Sequence, residues 1–164
     1  MAAASDFDPE PQLRTLVEHA VDFVVVGAIA AMLHGSSRLT TDLDVAFAPE
    51  PENLDRLGAA LEVLGARLRG VEDDVPFAPD AERLRKVELL TLDTKAGPLD
   101  VLRRPTGAPA YRVLKRRAER FDLGGFEVLT ASIEDLIAMK RASARTKDLA
   151  DVEELEAILR LRSD

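Results

Sequence analysis

Asp42 and Asp44 stand two positions apart in the run Asp42-Leu43-Asp44-Val45-Ala46-Phe47, where apolar and acidic residues alternate. Period-two alternation predicts a strand with one wet face, so both carboxylates project to the same side with Cα atoms roughly 6.5 Å apart. Carboxylates held that close repel. Either one takes up a proton, or a cation sits between them, and a hard divalent ion such as Mg2+ or Mn2+ favours oxygen ligands in that arrangement. An isolated Asp-x-Asp is more often the polar end of a strand, so its neighbours decide the reading. Asp100 lies between Leu99 and Val101. It points away from whatever those two bury, which makes it a candidate third carboxylate for the same face.

Phosphate-handling groups lie just upstream. Gly27-Ala28 follows Phe23-Val24-Val25-Val26 and precedes the apolar run Ile29 to Leu33, which predicts a buried strand, a tight turn and a short helix. At such a turn a residue without a bulky side chain lets backbone N–H groups approach a phosphate at the positive helix end. Arg38 and Thr40 precede the acidic pair; a guanidinium fork with a hydroxyl suits a triphosphate tail held against bound cations.

The elements that must position these groups follow from the pattern. A first helix is predicted from Leu13, Leu16, Val17 and Ala20, ending near His19, and another after Pro51 with Leu54, Leu57, Leu61 and Leu64 on one stripe up to Gly65. Residues 71–81 are acidic and contain Pro76 and Pro79, which predicts an exposed, mobile loop. Val87 to Asp93 and Pro98 to Leu102 flank Lys95-Ala96-Gly97 as an antiparallel hairpin, and Phe121 to Leu129 form a smaller one around Gly124-Gly125. Tyr111 to Arg120 reads as a basic helix carrying Arg112, Lys115, Arg116, Arg117 and Arg120, suited to the phosphates of a polynucleotide acceptor, although a solvated helix face explains it as well. Ser132 to Asp135 has the form of a capping box, and Thr146 precedes a last helix with Leu149, Val152, Leu155 and Leu159.

Composition narrows the function classes. The chain has 164 residues, enough for one domain with a sizeable core, and a formal charge of −8, which disfavours non-specific coating of nucleic acid. Without cysteine, and with only His19 and His34, any metal must be held by oxygen. No apolar run approaches the ~20 residues of a bilayer span. The first residues do not read as a secretion signal, so a soluble cytoplasmic protein with no membrane partner is expected.

Taken together, Val24-Val25-Val26-Gly27-Ala28-Ile29-Ala30, His34-Gly35, Arg38, Thr40 and Asp42-Leu43-Asp44-Val45 resemble the nucleotidyltransferase signature of the DNA polymerase beta-like superfamily. The branch they resemble is the AbiEii type associated with toxin-antitoxin systems. Ser132, Glu134-Asp135-Leu136-Ile137, Met139-Lys140, Arg145, Lys147-Asp148 and Asp151 resemble the segment that closes such domains, and the matches run from about residue 21 to 160. The resemblance implies an α/β (α+β) nucleotidyltransferase fold: a small mixed sheet flanked by helices, with C-terminal helices. It implies one domain over residues 1–164, with a core of about 21–130 and a helical segment of about 131–162.

The implied reaction is metal-dependent transfer of a nucleoside monophosphate from a nucleoside triphosphate to an acceptor hydroxyl, on a tRNA or on a partner protein. A cognate toxin or antitoxin is implied as well. Asp42 and Asp44 would bind Mg2+ or Mn2+, with Asp100 completing the triad. Gly27 and Ala28 would receive the triphosphate with Arg38 and Thr40, while Lys140, Arg145, Lys147 and Asp148 would stand near the nucleotide. One departure is Ala28, where many superfamily members carry serine. That supports an alternative: an inactive nucleotide-binding or partner-binding module of the same fold.

Overall fold

The computed structural model describes residues 7–71, 77–143 and 145–163, the side chains of Thr146 and Lys147 excepted. Its centre is β1 (Phe23–Val26), three valines after a phenylalanine and buried along its whole length, which runs into α2 (Gly27–Leu33) as the sequence predicts. β1 pairs antiparallel with β2 (Leu43–Phe47), placing Val26 opposite Asp44. β2 in turn lies parallel to β5 (Gly97–Leu102), with Asp44 opposite Asp100. Two-residue β3 (Arg67–Leu68) and β4 (Leu89–Thr94) extend this side, while β7 (Glu127–Thr130) and β6 (Glu119–Asp122) extend the other. The order is β3-β4-β5-β2-β1-β7-β6. β2–β5 and β1–β7 are parallel and the other pairings antiparallel, so the sheet is mixed.

Register separates the two faces. Leu43, Leu99 and Leu92 lie side by side across β2, β5 and β4, as do Val45, Val101 and Leu90. All six are buried. They join Leu13 and Leu16 of α1 (Glu10–Glu18) and Leu54, Leu57 and Leu61 of α3 (Pro51–Val63) in one core. Between those two ranks lies Asp44-Asp100-Thr91, whose side chains emerge on the opposite face because alternate strand residues do.

The C-terminal half closes over that face. In α6 (Ile133–Ser143) the capping hydroxyl is where the sequence puts it: Ser132 Oγ accepts from the Asp135 N–H at 3.1 Å. α7 (Thr146–Ser163) packs on α6 and buries Val152 and Leu155.

Two expectations shift, and one strand, β3, had no expectation. α5 spans only Tyr111–Arg117, since Ala118 is extended (ψ 152°), so Glu119 and Arg120 belong to β6. Within the segment expected to be a loop, residues 72–76 lie outside the described residues, and its end begins α4 (Ala81–Arg85), whose cap Asp80 accepts from the Arg83 N–H at 2.8 Å. β3 carries too few residues to show a pattern.

Candidate active site

The cleft opens where β1, β2 and β5 end on one face of the sheet. It encloses about 470 Å3 and is lined by Gly27, Asp44, Asp100, Arg38, Lys140 and Arg145 among others. Its floor is acidic: one carboxylate oxygen each of Asp42, Asp44 and Asp100 lies within 4.8 Å of the others, the one such cluster among the described residues. Asp44 and Asp100 face each other because β2 and β5 are in register there. Asp42 stands one residue before β2, where the Thr40 hydroxyl donates to its Oδ1 at 2.8 Å.

Gly27 explains how Asp44 reaches this position. Its φ of 68° is one that side-chain-bearing residues rarely adopt, and a Cβ there would stand 2.1 Å from Asp44 Oδ2. The glycine therefore serves both the turn into α2 and the space its neighbour's carboxylate occupies.

Opposite the floor stand three cations, held from behind by α7. Arg38 bonds to Asp151, and Lys140 Nζ lies 3.1 Å from Asp151 and 3.4 Å from Asp148. The Arg145 Nε donates to Asp148 at 2.9 Å, and the Ser143 hydroxyl donates to the same carboxylate. Burial alone would raise the pKa of Asp148, but these bonds from Ser143, Arg145 and Lys140 hold it below the usual range. Asp151 is likewise held low, against its burial, by Arg38 and Lys140. Asp148 is 1% exposed, so it braces Lys140 and Arg145 rather than facing the cleft. The Lys147 side chain, expected near the nucleotide, lies outside the described residues.

Glu154, further along α7 than Asp148, accepts from the hydroxyls of Ser36 and Ser37 and secures the segment leading to Arg38. Sequence reasoning did not assign roles to Glu154, Asp151 or Arg69. Asp151 was visible as the end of the Lys-Asp-x-x-Asp motif; Glu154 and Arg69 carried no motif.

The basic helix lies elsewhere. Tyr111, at the helix N-terminus, donates to Asp22 Oδ1 at 2.7 Å just before β1, whereas the cleft lies at the other end of that strand, roughly 13 Å away at ~3.3 Å per residue. Three of the five cations of the run from Arg112 to Arg120 are paired: Lys115 and Arg117 of the helix with Asp22 and Asp135, and Arg120 of β6 with Glu127.

The fold is that of nucleotidyltransferases. Lincomycin-bound lincosamide antibiotic adenylyltransferase LnuA superposes with a TM-score of 0.59 at 15% identity, over 91% of this chain and 97% of that one. The antibiotic-resistance factor ANT(2'')-Ia gives 0.57 at 17%, over 94% and 89%. An antigenic nucleotidyltransferase-like protein from Paracoccidioides brasiliensis gives 0.51 at 17%, over 94% and 77%. At these identities the likeness concerns the fold. No curated protein matches the sequence. Residues 13–159 match the family described as nucleotidyl transferase AbiEii toxin, type IV TA system, and the chain belongs to that family.

A divalent cation fits the acidic floor on physical grounds. Without one, Asp44 is pushed up to about 7, first by burial and then by the charges of Asp42 and Asp100. Burial also raises Asp100, although Arg69 opposes the rise. Between about pH 4 and pH 7 the folded cluster therefore holds more protons than the unfolded chain, so cation-free stability falls as pH rises through that window. The lowered carboxylates of Asp148, Asp151 and Glu154 act in the opposite sense, but only near and below their ordinary range, about pH 4. Thermal unfolding should accordingly show Tm falling from about pH 5 to about pH 8 without cation, and Mg2+ should raise Tm more at the higher pH. An equal Mg2+ gain at both ends would contradict a cluster that exchanges a proton for the ion.

Proposed function

We infer that this protein transfers a nucleoside monophosphate from a nucleoside triphosphate to an acceptor hydroxyl, releasing pyrophosphate. The observation that carries the reading is the facing pair Asp44 and Asp100, joined by Asp42, beside the glycine turn at the start of α2. Mg2+ or Mn2+ held by Asp42, Asp44 and Asp100 would supply Lewis-acid stabilisation of the entering and leaving oxygens.

The chain's own residues do the rest. An acidic floor repels a polyphosphate, so Arg38, Lys140 and Arg145 provide the compensating charge from the opposite wall. Asp148 and Asp151 fix those cations before substrate arrives, so less ordering is required on binding. Gly27 and Ala28 line the cleft, and their backbone N–H groups would donate to phosphate oxygens. Thr40 orients Asp42 through its hydroxyl. Asp100 lies on the side of the floor away from Gly27, placed to accept the proton of the attacking hydroxyl. Leu89 and Leu102, on the next rank of the same face, give that side an apolar wall for the acceptor.

Ala28 leaves room for the absent hydroxyl. It lines both the cleft and an adjoining cavity of about 10 Å3 bordered by Arg38, Lys140 and Asp151. Ala28→Ser should therefore be accepted with Tm nearly unchanged and lower the KM for nucleotide severalfold. An unchanged KM would mean that the backbone amides alone set phosphate binding, and a raised KM that the hydroxyl obstructs it.

The acceptor is a hydroxyl on a tRNA or on a partner protein, and this chain acts as the toxin of a toxin-antitoxin pair. The test is incubation with Mg2+ or Mn2+, each labelled nucleoside triphosphate, and total RNA or lysate, with the Asp42/Asp44 double alanine variant as control. Label entering one macromolecule only with the parent protein supports the reading and identifies the acceptor. A Tm gain with nucleotide but no pyrophosphate release from any mixture would instead favour a binding module.

A further inference from the structure

Arg69 belongs to the same cross-sheet rank as the catalytic carboxylates. Leu68 pairs with Leu92, and the Arg69 N–H donates to the Thr91 carbonyl at 2.9 Å, so the rank Val26-Asp44-Asp100-Thr91 continues into Arg69. Residues opposite one another in a sheet share a face. Thr91 is short, and the longer arginine reaches over it: Nη2 donates to Asp100 Oδ1 at 3.0 Å.

The guanidinium is itself anchored. The same nitrogen donates to the Leu92 carbonyl at 2.8 Å, and Nε donates to Asp93 Oδ1 at 3.3 Å. A planar fork tied to backbone and to a second carboxylate has little freedom left, so it fixes the oxygen it binds. Asp100 stands against Asp42 and Asp44 with like charge, and without a tether its carboxylate would turn away from them.

We propose that Arg69 is a positioning residue that aims Asp100 at the divalent cation, one oxygen held by the guanidinium and the other left toward Asp44. The role rests on the nucleotidyltransferase reading for its purpose but not for its measurement. It also explains why two-residue β3 is kept at the sheet edge: it brings Arg69 into rank.

The sign of the effect separates anchoring from charge. Deleting a positive charge beside a cation site would by itself tighten cation binding, whereas releasing a ligand from its outer partner weakens it, typically 10–100-fold. Mn2+ titrated into the full chain without nucleotide, followed by water-proton relaxation, should show about tenfold or greater weakening in Arg69→Met. Arg69→Lys keeps the charge but cannot span both partners, and it should weaken binding in the same direction. Thermal unfolding of each variant confirms that it is folded at the titration temperature. Mn2+ affinity that is unchanged or tighter in Arg69→Met, or parental affinity in Arg69→Lys, would overturn the proposal. Label transfer by the parent protein is measured alongside: its absence with the Mn2+ loss intact removes the proposed reaction and leaves the role of Arg69, while transfer with unaltered Mn2+ affinity removes the role alone.

Discussion

Asp44→Ala is expected to lower nucleotidyl transfer by at least roughly 10^3-fold, about 4 kcal/mol in the barrier, while leaving the protein folded. The two halves of that expectation have the same origin. Asp44 is more deeply desolvated than Asp100 and is pushed up to about 7 by that burial and by its neighbours. Its charge is therefore unfavourable in the cation-free fold and is tolerated because a cation can neutralise it. Removing it relieves repulsion with Asp42 and Asp100, so the Tm of the cation-free variant at about pH 8 should equal or exceed that of the parent. The Mg2+-dependent rise in Tm should disappear. Steady-state transfer and a paired thermal melt check both. A variant that retained Mg2+-dependent transfer, or that lost structure without cation, would show that Asp44 serves the core rather than the site.

Gly27→Ala should be nearly as damaging by a different route. The added Cβ meets Asp44 Oδ2 at 2.1 Å, and the backbone stands at φ 68°. The conformation costs about 1–3 kcal/mol for a residue with a side chain, a loss readable as a lower Tm. The clash falls on the end of a side chain, so Asp44 rather than the backbone gives way. A displacement of about 1 Å at a reacting centre can cost roughly 10^2-fold in rate. The expected result is a folded protein with lowered Tm, transfer reduced about 10^2-fold, and weaker Mg2+ stabilisation. Loss of stability with normal transfer would separate the turn from the carboxylate and leave Gly27 with a purely conformational role.

What could be read from the residues depended on how local each feature is. The alternation around Asp44 and around Asp100 placed each on a strand face without any tertiary information, and Gly27 marked the turn into α2. That β2 and β5 are parallel neighbours with Asp44 opposite Asp100 is a different kind of fact, because α3, β3, α4 and β4 lie between them in the chain. No spacing encodes it; the family resemblance supplied only the expectation that Asp100 completes the triad. Arg69 was illegible for the same reason, since its partner is reached across an intervening strand.

Charged residues depend most on partners that sequence position does not reveal. The run from Arg112 to Arg120 looks like a phosphate-binding surface when only its own positions are counted, yet Asp22, Asp135 and Glu127 arrive from distant parts of the chain to pair with three of its cations. Lys140 shows the converse. Its carboxylate partners on α7 secure it at 18% exposure on the cleft wall, so an ordinary-looking helix lysine becomes a fixed charge.

Diffraction from crystals of the parent protein soaked in Mn2+, with the anomalous signal used to locate the ion, tests the central claim most directly. The account predicts a Mn2+ peak bound by oxygens of Asp42, Asp44 and Asp100 beside Gly27. Mn2+ bound elsewhere, with those three carboxylates left without it at saturating concentration, would contradict it.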